Sequence, residues 1–155
     1  HLMKKFLALC TVVALIFLSA CDIPLDEVLS SLGSYKSKTY YSSGGFQDYT
    51  DYAKYIYEAI DIEGNKYFKK IDDLNQWNLI LHIENFEEWI DTIEDSDPKN
   101  EVVVGYDFDF SLISTDDYYY IDKDPNSNGY ENYNVYFIDM DTNTLYYFHN
   151  NIYLF

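Results

Sequence analysis

Arginine is absent from this 155-residue chain: all 10 basic side chains are lysines, set against 27 aspartates and glutamates for a formal net charge of −17. Phosphate and carboxylate recognition favours the planar guanidinium fork, and a nucleic-acid binder needs a basic footprint to release counterions. No nucleic acid is therefore expected as a partner, and the same charge opposes docking onto anionic lipid through a basic patch. A coding bias toward AT-rich codons accounts for the missing arginines as well as for the abundance of Tyr, Asn, Ile and Lys. Cysteine is nearly as scarce, with only Cys10 and Cys21. Beyond residue 21 no thiol remains for a disulfide, a zinc site or a nucleophile, so stability must come from the core. No serine sits in a Gly-x-Ser-x-Gly context that would mark a nucleophile elbow.

A long hydrophobic run is missing too. Phe6 to Ala20 is 15 residues, whereas a membrane-spanning helix needs about 20 to cross a core of roughly 30 Å. Lys4-Lys5, this short apolar stretch and Leu18-Ser19-Ala20-Cys21 together have the layout of a secretory signal. This segment resembles the signal peptide and lipobox of bacterial lipoproteins. The resemblance implies that Cys21 receives diacylglycerol, becomes the new N-terminus and anchors the chain to a membrane, facing outside the cytoplasm. A signal cleaved after Ala20 without lipidation is the rival reading. His1-Leu2, ahead of Met3, are read as non-native or gene-boundary residues. Asp22 resembles an inner-membrane retention signal.

Residues 1–20 are thus expected to be a signal peptide, 21–39 a lipidated tether containing Pro24, Gly33 and several serines, and 40–155 one globular domain. Loss of Lys4 and Lys5 with the signal leaves 8 lysines against 27 acids, a formal charge of −19. Acidity of this degree with few aromatics would read as disorder. The 18 tyrosines and 10 phenylalanines, however, supply ample apolar area to bury.

Phe46, Tyr49, Tyr52, Ala53, Ile56 and Ile60 recur at three- and four-residue steps and predict an amphipathic helix stopped by Gly64-Asn65. Lys66 to Ile71 reads as a short strand. Asp72 or Asp73 offers an N-cap for a longer helix through Glu94, with Leu74, Trp77, Leu81, Leu79, Ile83, Phe86, Ile90 and Ile93 as its apolar side, and Asp97-Pro98 closes the segment. From Val102 to Phe110 the period changes to two, which predicts a strand. Further strands are expected at Tyr118–Asp122, Tyr133–Asp139 and Leu145–His149, the last two joined by a hairpin turn over Met140–Asn143. Helices first and strands after predict an α+β fold in which one or two amphipathic helices pack on a four- to five-stranded antiparallel meander.

Three constellations carry candidate chemistry. Asp124-Pro125-Asn126-Ser127-Asn128-Gly129 has oxygen donors at alternate positions and a glycine at the sixth, the first half of a calcium loop. The closing position is Val135, although Asp122 and Glu131 could substitute. Asp124, Asn126 and Asn128 are thus weak calcium candidates beside the alternative of a polar turn, and Asp139–Asn143 is a lesser analogue; no other cofactor is expected. Asp107 and Asp109 share a face of the expected strand, with Asp116 and Asp117 nearby, and paired carboxylates can divide acid and base roles. A solvated strand face explains them as well. His82 and His149 lack the companions a metal site needs and read as surface or hydrogen-bonding residues.

The remaining signal is a surface dense in tyrosine. One helix layer covers only one face of a sheet, and Tyr118, Tyr120, Tyr136 and Tyr146 are the candidate binding residues on the meander, against the alternative that they fill a sheet core. The expected function is a non-enzymatic, lipid-anchored binding module for a protein or glycan partner. The alternatives are an inhibitor or immunity-type protein that masks a basic enzyme, and a carbohydrate-binding surface module.

Overall fold

The computed structural model describes residues 27–45, 47–94, 97–123 and 129–152. The chain divides into two compact units, residues 1–31 and 32–155. Of the first, only the end is described: α1, Glu27–Ser30, closed by Ser31, whose hydroxyl donates to the Val28 carbonyl at 2.6 Å.

The second unit is α+β. Its strands are β1 (Ser37–Gly44), β2 (Tyr49–Ile56), β3 (Lys69–Lys70), β4 (Tyr118–Lys123), β5 (Asn132–Asp139) and β6 (Thr144–Asn151), and its helices are α2 (Gln76–Glu94) and α3 (Glu101–Gly105). The six strands form one antiparallel sheet in the order β1-β2-β6-β5-β4-β3. The expected four- to five-stranded meander is therefore one strand or more too small. Its β4-β5-β6 part stands as read, and β6 then pairs back to an N-terminal hairpin. Tyr35 packs edge-on against Tyr55 and Tyr57, so residues read as tether already belong to this unit.

The helix expected over 46–60 is instead strand β2 between β1 and β6; Phe46 lies outside the described residues. Tyr52, Ala53 and Tyr55 are all buried, because both faces of this interior strand are covered. Apolar residues on both faces of a strand imitate helical spacing, and the aromatic-rich composition then favours the pleated sheet. The expected strand over 102–110 is likewise replaced by α3 and a 3₁₀ turn at Phe110–Leu112. Asn100 decides this: its side-chain oxygen accepts from the Val103 N–H at 3.2 Å, its amide donates to the Ile90 carbonyl at 3.1 Å, and Ser43 Oγ accepts from the Val102 N–H at 2.8 Å. With early donors of the turn satisfied by side chains, a helical turn forms despite three valines. The strand read at Lys66–Ile71 shrinks to β3.

Helix α2 forms where expected. Asp72 Oδ1 accepts from the N–H groups of Leu74 and Asn75, both at 2.8 Å, just ahead of its first turn. Leu79, Ile83, Phe86, Ile90 and Ile93 are buried in one stripe, but Leu74, Trp77 and Leu81 are exposed rather than part of it. Leu79, Ile83, Phe86 and Ile90, with Val102 of α3, pack on Tyr52, Phe148, Val135, Phe137, Tyr133 and Tyr119 of the sheet. Among the described residues no helix is long and apolar enough to cross a membrane.

Candidate functional site

The sheet face away from α2 is only partly bare. Residues 57–68 return across it, held by the Tyr57 N–H to the Asn143 carbonyl (3.0 Å) and the Ile60 N–H to Asn143 Oδ1 (3.0 Å). Phe68 then covers Tyr120 and Tyr136. From there a band of rings crosses the sheet: Tyr67 against Tyr120, Tyr120 stacked on Tyr136, Tyr136 against Tyr147, Tyr147 stacked on His149, and His149 edge-on to Tyr49. Strand register imposes the order, since Tyr120 lies opposite Tyr136 and Tyr136 opposite Tyr147.

At its uncovered end the band meets a polar group. Asp51 is 5% exposed, and His149 Nδ1 lies 2.8 Å from its Oδ2. The Tyr40 hydroxyl donates to Asp51 Oδ1 at 2.7 Å, and the Tyr147 hydroxyl donates to Asn134 Oδ1 at 2.6 Å. Burial works to raise the Asp51 pKa, but hydrogen bonds from His149, Ser42 and Tyr40 prevail and hold the carboxyl below its ordinary range. Burial and the bond to Asp51 push the Tyr40 phenol well up, so it stays a neutral donor. Tyr40 is nonetheless 49% exposed, with Lys38 Nζ over its ring at 4.8 Å from the centroid. The His149–Asp51 pair has the orientation of a base and its orienting carboxylate, yet the hydroxyl beside it, Tyr40, is committed to the carboxylate. The arrangement is suited to holding polar groups of a ligand.

A second concavity lies at the opposite edge of the sheet. Strand β3 pairs with β4 only at Tyr118 and Tyr119, and a cavity of about 490 Å³ opens beside the rest of β4, lined by Asn78 and His82 of α2, Tyr119–Ile121 and Lys123 of β4, and Tyr67, Lys69 and Tyr130. His82 is 4% exposed, with Nδ1 2.8 Å from the Asn78 carbonyl. Burial, aided by the Lys123 charge, lowers the His82 pKa and keeps the ring neutral.

Of the residues expected to carry function, Tyr118, Tyr120 and Tyr136 share the helix-free face, but Tyr136 is 2% exposed under Phe68. Tyr146 points the other way, packed on Phe108 and Phe137 among the core residues. Cys21, Asp124, Asn126 and Asn128 lie outside the described residues. Asp107 and Asp109 do not face each other as a dyad: Asp107 accepts from Tyr52 (2.8 Å) and pairs with Lys54, while Asp109 accepts from the Ser111 N–H (2.8 Å) and caps the 3₁₀ turn. Asp117 is buried and accepts from Ser114 and the Met140 N–H, and Asp116 is exposed opposite Lys70. Asp139 accepts from the Asp141 N–H and the Thr142 hydroxyl, closing its own turn.

Asp51 was missed because it stands 98 residues from His149 in the chain, and only the β2–β6 register joins them. His82 read as a surface or hydrogen-bonding residue, and nothing in its neighbours announced a cavity. In comparisons with protein-family models, curated proteins and solved structures, the chain matches none.

Proposed function

We propose that this chain is a non-enzymatic binding module, held to a bacterial membrane by lipid on Cys21 and facing outside the cytoplasm, and that its helix-free sheet face recognises an uncharged, hydroxyl-rich ligand of the glycan class. The observation that carries the ligand class is the makeup of that face. Of its strand residues only Asp51 and Asp122 are carboxylates, although the chain has 27 acids, and Asp51 is already bonded to His149 and Tyr40. Exposed Tyr40, with Lys38 over its ring, offers aromatic surface for a sugar's C–H groups, and Tyr49, His149, Tyr147 and Asn134 rim it with polar atoms. The lipid anchor rests on the lipobox alone.

A second reading, in which the chain masks a basic enzyme, is favoured by a different surface. Glu84, Glu88 and Asp91 are exposed along α2, and such a stripe would speed association with a cationic partner.

The deciding experiment measures binding of the full chain in mild detergent to a glycan array and to basic envelope proteins, at low and high salt. Salt-insensitive glycan binding that weakens about tenfold in Tyr40→Ala, a loss of roughly 1.4 kcal/mol, is the expected result. Salt-sensitive protein binding indifferent to Tyr40→Ala would replace it with the masking reading. Cys21→Ser should remove the lipid mass and release the chain from membranes; a variant still processed and membrane-held would overturn the anchor.

A further inference from the structure

His82 carries a cost that the fold does not explain. With Nδ1 facing the Asn78 carbonyl at 2.8 Å, the proton of the neutral ring must sit on Nδ1, which leaves Nε2 as a bare acceptor. Nε2 is buried and has no hydrogen-bond partner among the described residues. A leucine or phenylalanine would fill the same space without that penalty. The ring is also held in place from behind: it lies edge-on to Tyr133 at 5.1 Å, and the Tyr133 hydroxyl donates to the carbonyl of His82 itself at 2.8 Å.

Two cations lie around this acceptor. Lys69 and Lys123 line the same cavity, in a molecule whose lysines are outnumbered by 27 acids to 10. Lys36, Lys54 and Lys70 are each paired with a carboxylate, whereas Lys69 sits over the Tyr119 ring at 5.1 Å and Lys123 over the Tyr130 ring at 4.8 Å. Neither has a carboxylate partner among the described residues. The two cations are thus held at the mouth by aromatic faces, with no carboxylate neutralising them among the described residues. Tyr130 is 38% exposed and lies edge-on to His82 at 4.8 Å, so a ligand that turns this ring aside uncovers Nε2.

A cavity with tyrosine walls, a fixed acceptor and two lysines has a definite complement. We propose that the cavity between His82 and β4 is a binding site for an acidic sugar, whose ring packs on Tyr130, whose hydroxyl donates to His82 Nε2, and whose carboxylate is met by Lys69 and Lys123. This site is separate from the Tyr40–His149 patch and stands whether or not that patch binds glycans. Its volume of about 490 Å³ falls within the span of small-ligand pockets. A neutral sugar would leave the lysines idle, and an anion without a donor, such as sulfate, would leave Nε2 bare.

Glucuronate is the probe, with glucose as its neutral counterpart, titrated calorimetrically into the full chain in mild detergent. Glucuronate should bind and glucose should not, and added salt should weaken the binding as it screens the lysines. His82→Phe keeps the ring and removes the acceptor, and should weaken glucuronate about tenfold; Lys69→Met and Lys123→Met should each weaken it about threefold. In the unsubstituted chain the ¹⁵N resonance of His82 Nε2 should move upfield as it accepts a hydrogen bond, a readout that needs no variant to fold. Equal binding of glucose, unchanged affinity in His82→Phe or in both lysine variants, or no ¹⁵N shift at about 10 mM glucuronate, far above any useful affinity, would overturn the proposal. Loss of glycan binding in Tyr40→Ala with glucuronate binding intact would bear on the sheet face alone.

Discussion

Asp51 and Asp117 are both buried carboxylates, at 5% and 2% exposure, yet their surroundings push them in opposite directions. Asp117 is raised, chiefly because burial outweighs its bonds from Met140 and Ser114 and because Asp139 lies near. Asp51 is lowered, since bonds from His149, Ser42 and Tyr40 overcome its burial. The consequences for stability have opposite signs. A depressed folded pKa contributes stability that is present above the unfolded value near 3.9 and is lost as pH falls through the folded value. A raised one costs stability at neutral pH, and that cost is relieved as pH falls through the folded value. Carboxyl ¹³C titration should therefore place Asp117 above and Asp51 below the ordinary aspartate range, and His149→Ala should move Asp51 upward. Coincident titrations near the unperturbed value would refute this account. Neither carboxylate's role could be read locally, because Asp51 meets His149 only through the β2–β6 register and Asp117 meets Met140 in the turn between β5 and β6. The tyrosine face, by contrast, was legible in part: alternation put Tyr120 and Tyr136 together, but Tyr146 is one residue out of phase with Tyr147 and falls on the core side.

At the scale of elements, α2 has two apolar stripes, and only one of them packs. Phe86 is fully buried against Phe148 and Tyr106, while Trp77 is 57% exposed. Phe86→Ala should destabilise the unit by about 3–5 kcal/mol, and Trp77→Ala should leave its denaturation midpoint nearly unchanged. A large loss from Trp77→Ala would show that the outer stripe is covered in solution. Helix α2 and strands β4, β5 and β6 were legible because a long 3.6 period and a clean alternation leave one solution each. Strand β2 was not, since Tyr49, Tyr52, Ala53 and Ile56 satisfy helical spacing as well as a strand covered on both sides. The turn of α3 was hidden for another reason: Val102, Val103 and Val104 favour strands, and what outweighs them is a cap from Asn100 and a distant hydroxyl, Ser43.

For the whole molecule, charge is the dominant long-range term. Ion pairs such as Lys36–Glu58 and Lys70–Asp116 are exposed and contribute little, so screening them costs less than it relieves among 27 acids. Raising salt from low to near-physiological levels should increase the melting temperature by about 2–5 °C; a decrease would mean that the surface pairs prevail over self-repulsion. The sheet order has a further consequence, in time. Strand β6 lies between β2 and β5, so Tyr49 finds its neighbour Asn151 only about 100 residues later in synthesis. Until that strand emerges, the N-terminal hairpin and the β4–β5 pair have no common partner, and the ring band is split between them. Such distant pairing slows folding and delays closure until β6 is made. A nascent chain built this way stays open for as long as its sixth strand is unmade, the state in which it can still be threaded through a narrow channel.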